Sequence, residues 1–397
     1  MIGKLINVLQ FGRQCAKSSF LLSRQLSVTT NLKEINNDKP KTGILMLNMG
    51  GPSHINEVHE YLLRIMTDRE IIQLPFQSQL GSWIAKKRTV KVQQKYEQIG
   101  GKSPILEWTN KQGKLLCESL DRVSPETAPH KHYVAFRYAN PLTQNTLQKI
   151  EEDGVEHTVV FSQYPQYCCA TSGSSFVEIY KHFVNRHLPA NMKWSIIDRW
   201  ATHPLFIETI VERIKDELFQ YPEDIRNDVI ILFSAHSVPL KVVLKGDTYA
   251  SEVAGTVTLV MEKLQYCNPY KLVWQSKVGP LSWLKPATDS SIRAFVKQGK
   301  KHFLLVPIAF VNEHIETLHE LDIEYCKELA EELGIDQIRR TAAPNDHPKF
   351  IAALTDIVAS HLKSNKSVSP LFLTRCPQCN SKNCIESKEW YAQICKS

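Results

Sequence analysis

"DVIILFSAHSVP", residues 228–239, is the stretch from which the fold is read. Val229 to Phe233 are all apolar, and small and polar residues then lead to Pro239. An unbroken apolar run of strand length suits a strand covered on both faces, as in a parallel sheet between helices. The same design recurs in "GILMLNMGGP" (43–52), "HYVAFRYANP" (132–141), "HTVVFSQYPQ" (157–166), "KWSIIDRW" (193–200), "KLVWQSKVGP" (271–280) and "HFLLVPIAFVNEH" (302–314). Helical patterns lie between them: "QKYEQIGG" (94–101), "SGSSFVEIYKHFVNRH" (172–187), "LFIETIVERIKDELFQ" (205–220) and "ETLHELDIEYCKELAEELG" (316–334). This alternation predicts βα units and parallel sheets.

"LFSAHSVP" in the second half echoes "LMLNMGGP" in the first. The expected class is therefore α/β, with two similar doubly wound (Rossmann-like) domains. The predicted boundaries are a leader over 1–40, domains over 41–199 and 200–363, and an extension over 364–397. Ligands of such folds bind beyond the carboxyl ends of the strands. That singles out Met49, Arg137, Tyr138, Tyr164, His236, Trp283, Phe310 and His314.

The chain has 397 residues and a net charge of +7. Lys4, Arg13, Lys17, Arg24 and Lys33 stand in the first 33 residues, which hold no acid, and this leaves the remainder at +2. A near-neutral body does not imply a general nucleic-acid binder. The basic, Ser- and Leu-rich leader reads as a mitochondrial presequence. No apolar run approaches the ~18 residues of a membrane span. "IIQLPFQSQLGSWIAKKRTVK" (71–91) runs apolar residues into Lys86, Lys87, Arg88 and Lys91. This suits either a membrane-interface segment or a helix packed on the core.

Two motifs fail on inspection. "GGKSP" (100–104) lacks the first glycine of a phosphate loop, and no G-x-G-x-x-G occurs. His314 and His319 are five apart, where a helical zinc-protease pair needs four.

His236 follows a buried strand, and a neutral imidazole is available as a base near neutral pH. Glu313, Glu316, Glu320 and Glu324, if α-helical, share one face within about 80°. Such a stripe is either a solvated face or a path for protons or cations beside His314. Tyr138, Tyr164, Tyr167 and Trp283 are core residues or the walls of a cleft for a flat apolar ligand. Arg137, Arg88 and Ser103 suit carboxylates at its rim.

"CPQCNSKNC" (376–384) places three of the chain's ten cysteines in nine residues. A zinc site needs a fourth ligand, and Cys395 is the one local candidate.

Several of these motifs together resemble the ferrochelatase family in its mitochondrial, cluster-containing form. They are "ILMLNMGGP", "FSQYPQY", "FSAHSVP", "NPYKLVWQSKVGP", "HIETLHELDIEY" and the terminal cysteines, over about residues 41–397. The resemblance implies insertion of ferrous iron into protoporphyrin IX with release of two protons, the last step of haem synthesis. It implies a base at His236 with Glu316 as acidic partner, and His203 and Asp356 as further catalytic positions. It implies porphyrin contacts at Met49, Arg137, Tyr138 and Trp283, and substrate binding at Arg88, Tyr96 and Ser103. Tyr164, Phe310 and His314 complete the expected cleft. It further implies a two-iron two-sulfur cluster on Cys376, Cys379, Cys384 and Cys169, whose neighbour Cys168 competes until side-chain direction decides. Peripheral attachment to the matrix side of the inner mitochondrial membrane, and a homodimer, follow from the same likeness. The competing reading is a porphyrin or haem carrier without chemistry.

Overall fold

A computed structural model describes residues 39–395 other than His187, Ala190, Pro280, Asp336 and Asn365. The leader expected over 1–40 lies outside the described residues, except for its last two. Among the described residues eight strands form two sheets. The first holds β1 (Thr42–Asn48), β2 (His130–Phe136), β3 (His157–Ser162) and β4 (Lys193–Ile197), in the order β2-β1-β3-β4. The second holds β5 (Ile230–His236), β6 (Tyr270–Gln275), β7 (His302–Pro307) and β8 (Gln337–Arg340), in the order β6-β5-β7-β8. All pairs are parallel. The two halves therefore repeat one topology, as their echoing sequences predict. β8 has no counterpart in the sequence reading. It is a four-residue edge strand ending in Arg339 and Arg340, too short and polar to register as an apolar run.

The chain reverses direction across each sheet between β1 and β3 and between β5 and β7. These are the switch points where doubly wound folds open a crevice. Asn48 and Met49 stand at the first, and His236 stands at the second. One continuous core joins the sheets, taking Ile44 and Met46 from β1 and Ile231 and Phe233 from β5. The buried Gln112 amide, on helix Ile105–Val123, donates across to the Asn345 carbonyl at 2.8 Å.

The cysteine-bearing tail is built onto the first sheet. Ile196 N donates to Ser367 O at 2.7 Å, so the tail satisfies part of the edge of β4. Phe372 and Tyr391 then pack edge-on against Phe176, at 4.9 and 5.9 Å between ring centres. Burying two aromatic side chains of this size is worth roughly 1.5–3 kcal/mol each.

The helix after β7 departs from the expected geometry. Glu316–Leu329 is a π-helix, bonded i→i+5 instead of i→i+4. In an α-helix a residue four along has advanced about 40° past a full turn. The wider turn still leaves Glu316, Glu320 and Glu324, four apart, in one row along one face. Glu313 precedes the helix and leaves that row, correcting the expected four-carboxylate stripe.

Candidate active site and thiol cluster

At the end of β5 the His236 ring is held by its own backbone. Nδ1 lies 2.5 Å from Ser237 O, and a carbonyl can only accept. The hydrogen therefore sits on Nδ1 and the lone pair on Nε2. Nε2 faces Glu316 Oε1 at 3.6 Å. Trp283 stands tilted beside it, with ring centres 6.5 Å apart. Phe310 meets His314 edge-on at 4.6 Å. His314 Nδ1 accepts from Glu316 N at 3.1 Å, so one histidine supports the backbone of the residue that faces the other. Burial lowers the His314 pKa, against the pull of Glu316 and Glu313.

The charge of Glu316 acts on several buried hydroxyls around it. Burial raises the hydroxyls of Tyr61, Tyr96, Tyr164 and Tyr249, and the charge of Glu316 adds to each. The Glu320 carboxyl is raised by burial first and then by Glu316, although Ser276 and Tyr325 donate to it. Glu324 closes the row in an ion pair with Lys95 at 2.5 Å. Glu313 is different. Burial would raise it, but Arg340 at 2.9 Å and Ala343 N at 2.8 Å hold it low. It is a locked structural anion.

At the switch point of the first sheet the Tyr164 hydroxyl donates to Asn48 Oδ1 at 2.9 Å and accepts from Met49 N at 3.0 Å. This fixes the strand end that carries Met49. Tyr138 donates to Asp68 Oδ2 at 2.7 Å. Arg137 is 8 % exposed. Its guanidinium pairs with Asp68 and, at 2.6 Å, with Glu178. It is thus held between two carboxylates, in the wall of a pocket of about 310 Å³ that Tyr138 and Lys181 also line. Tyr96 and Ser103 are buried too, and the Ser103 hydroxyl accepts from Ile105 N at 3.4 Å. Arg88 is half-buried and makes no ion pair among the described residues.

His203 and Asp356 meet each other at 3.0 Å. His203 is the residue before helix Pro204–Leu218, and Asp356 is an exposed residue of helix Pro348–Lys363. No described hydrogen bond or ion pair joins this couple to His236 or Glu316.

Helix Gln77–Gln98 has two faces. Gly81 and Ala85 are buried, and a Cβ on Gly81 would come within 2.5 Å of Met66 O. On another face Phe76 is 82 % and Trp83 58 % exposed. With Pro75, Gln79 and Leu80 they line an open groove of about 460 Å³. The segment thus packs one face on the core, and the other face leaves Phe76 and Trp83 exposed. No described helix is long and apolar enough to cross a membrane.

The tail brings its thiols to Cys169. Cys168 is buried in the shared core, whereas Cys169 is half-buried. Burial raises the Cys384 thiol to about 11; Lys388 opposes this, and Cys379, Cys169 and Cys376 add to it. The Cys376 thiol is likewise raised by burial and senses Cys379 and Cys169. The Cys376 and Cys384 thiols thus lie within electrostatic reach of Cys169, while Cys168, Cys169 and Asp247 bring one ligand atom each to within 4.8 Å of one another; thiols are the donors that an iron–sulfur cluster takes. Sequence reasoning passed over Asn48, Asp68, Glu178, Asp247 and Tyr249. Asn48 directly precedes Met49 and could have been found from its strand-end position. The other four lie in polar turns or ordinary helices with no local signal.

A model of the ferrochelatase family matches residues 41–362. The mitochondrial ferrochelatase of Drosophila melanogaster is 64% identical over 366 residues, covering 92% of this chain and 95% of that protein. That of Homo sapiens is 52% identical over 353 residues, covering 89% and 84%. That of Schizosaccharomyces pombe is 47% identical over 349 residues, covering 88% and 82%. With a family model spanning both sheets, and relatives aligned over most of their length, the chain belongs to the ferrochelatase family.

Proposed function

We infer that this protein is a metal chelatase that inserts ferrous iron into protoporphyrin IX, forming protohaem and releasing two protons. The observation that carries the residue roles is the approach of His236 Nε2 to Glu316 Oε1 at 3.6 Å, at the switch point of the second sheet. Metal insertion requires the two pyrrole N–H protons to leave. His236 is the base: its Nε2 lone pair takes a proton, and Glu316 stabilises the imidazolium. Glu320, whose carboxyl holds a proton more readily than usual, receives it next. The row ends at Glu324, partly exposed beside Lys95.

Iron is a substrate, and carboxylate and imidazole donors offset the large cost of stripping its water. Met49, Tyr138, Tyr164, Trp283, Phe310 and His314 line the porphyrin cleft, with Arg88, Tyr96, Ser103 and Arg137 as further substrate positions. The pairing of Arg137 with Asp68 and Glu178 suits a wall that is held still. His203 and Asp356 form a separate polar couple that serves the reaction from a distance.

Cys169, Cys376, Cys379 and Cys384 hold a two-iron two-sulfur cluster. When bound, it supplies a redox-capable cross-link between the tail and the first domain. Residues 41–199 and 200–363 form the two chelatase domains, 364–397 the cluster-binding extension, and 1–40 the mitochondrial leader. The exposed Phe76–Trp83 face, followed by Lys86 and Lys87, attaches the protein to the matrix side of the inner membrane as a homodimer.

The test is haem formation from Fe²⁺ and protoporphyrin by the purified protein. Porphyrin binding with no metal-dependent turnover would instead indicate a carrier.

A further inference from the structure

Five consecutive residues, Lys245 to Tyr249, touch the tail, the first domain and the base. Lys245 O accepts from Gln378 N at 3.2 Å. Gly246 has φ +104°, and a Cβ there would come within 2.5 Å of Pro377 Cδ, so the tail lies directly on this glycine. Asp247 is buried and uses both carboxylate oxygens. Oδ2 accepts from Cys169 N at 2.7 Å, and Oδ1 accepts from Tyr249 N at 2.9 Å. The Tyr249 hydroxyl donates to His236 O at 3.1 Å. Tyr249 is itself buried, with its ring 6.0 Å from Trp274. A chain of three hydrogen bonds therefore runs from Cys169 in the first domain to the backbone of His236 in the second.

We propose that Asp247 and Tyr249 are positioning residues that tie Cys169 to the backbone of His236, so that seating the C-terminal tail sets the placement of the base. This rests on the reading above of Cys169 as a cluster ligand and His236 as the base. Buried groups on such a path have no water to substitute for a lost partner, so a break is felt at both ends. The His236 ring is fixed by the carbonyl of the next residue. A shift of the His236 backbone therefore carries Nε2 with it, and small displacements of a reacting group lower the rate more than they lower binding.

Tyr249→Phe removes only the hydroxyl. A lost hydrogen bond of about 0.5–1.5 kcal/mol corresponds to roughly a two- to tenfold fall in kcat. The porphyrin KM and the cluster absorption should stay at wild-type values. Asp247→Asn should lower kcat similarly and also speed bleaching of the cluster by an iron chelator, a readout independent of turnover. In the double variant the two effects on kcat should not add, because both break one path. Wild-type kcat in Tyr249→Phe, or additive effects in the double variant, overturns the tie. Bleaching of Asp247→Asn at the wild-type rate overturns its cysteine end. The parent reading is checked separately. Retained turnover in His236→Ala removes the base, and iron and sulfide analysis of the wild-type protein without a cluster removes the ligand role of Cys169. Either result overturns the proposal at its foundation, whatever Tyr249→Phe shows.

Discussion

Nε2 of His236 and Oε1 of Glu316 stand 3.6 Å apart, brought together from the end of β5 and the first turn of the π-helix. The hydrogen on Nδ1 is engaged by Ser237 O, so Nε2 is the nitrogen that can accept a proton. A carboxylate at that distance strengthens an imidazolium once formed. His236→Ala should lower kcat by about 10²–10⁴, the usual worth of a positioned base. Glu316→Gln keeps the shape and removes the charge. It should cost about tenfold to a hundredfold, from a charge-assisted contact of roughly 1.5–3 kcal/mol. Steady-state haem formation by both variants, with circular dichroism to confirm folding, checks this. Near-normal turnover in His236→Ala sinks the assignment.

The two adjacent cysteines should behave differently. Cys168 is part of the apolar core, while Cys169 is within electrostatic reach of the tail thiols. Cys169→Ser and Cys379→Ser should lose visible absorption and bound sulfide, and both should melt at a lower temperature. Cys168→Ala should keep its colour and lose only packing energy. The opposite pattern would move the fourth ligand to Cys168.

The enclosed Arg137 cluster should be sensitive to loss of either acid. Asp68 takes a hydrogen bond from Tyr138 and an ion pair from Arg137. Asp68→Ala leaves a buried guanidinium with Glu178 alone and should destabilise the protein by about 3 kcal/mol. The midpoint of urea unfolding measures it. A change below about 0.5 kcal/mol would mean that this pair is as weak as an exposed one.

Stability should fall in mild acid because of two histidines at the start of β3 and the end of helix Pro348–Lys363. Burial first, and then Lys193, pushes His157 and His361 down to about 4. In the unfolded chain they titrate near ~6.5. Between these values the unfolded state binds more protons, so stability rises with pH there. The contribution is complete above about pH 6.5 and is lost as pH falls towards 4, by about 2–3 kcal/mol per histidine at most. His361→Gln should flatten the dependence of the unfolding midpoint between pH 7 and 4.5. An unchanged slope would remove His361 as a cause.

The exposed face of Gln77–Gln98 should govern membrane attachment. Phe76→Ser with Trp83→Ser should reduce sedimentation with anionic phospholipid vesicles by tenfold or more, from roughly 1.5–3 kcal/mol of apolar burial per side chain. Turnover with detergent-dispersed porphyrin should persist. Equal vesicle binding by the double variant argues against this face.

How much of this was legible in the sequence follows from the range of the interactions. Buried parallel strands announce themselves because both faces must be apolar, and seven of the eight were found on that signal. β8 escaped because an edge strand of four residues need not be apolar. His236 stood out because it ends β5, and Glu316 because its spacing from Glu320 and Glu324 marks one face of a helix. The row of acids was expected on an α-helix, because a spacing of three and four residues does not reveal which hydrogen-bond pattern closes the turn. Glu313 was misassigned because its partner, Arg340, is supplied by β8.

Local sequence by itself determined the class of fold, the two echoing halves, the strand ends where chemistry gathers and the types of side chain placed there. Hydrophobic periodicity and strand-end composition are properties of neighbouring residues, so one chain suffices to read them. The tertiary structure decided which groups meet: Nε2 of His236 with Glu316, Arg137 with two acids, and Asp247 with both Cys169 and Tyr249. Those contacts join residues far apart in the chain. A hydrogen bond or ion pair depends on ångström-scale approach, which only the packing of the two sheets and the return of the tail onto β4 can set.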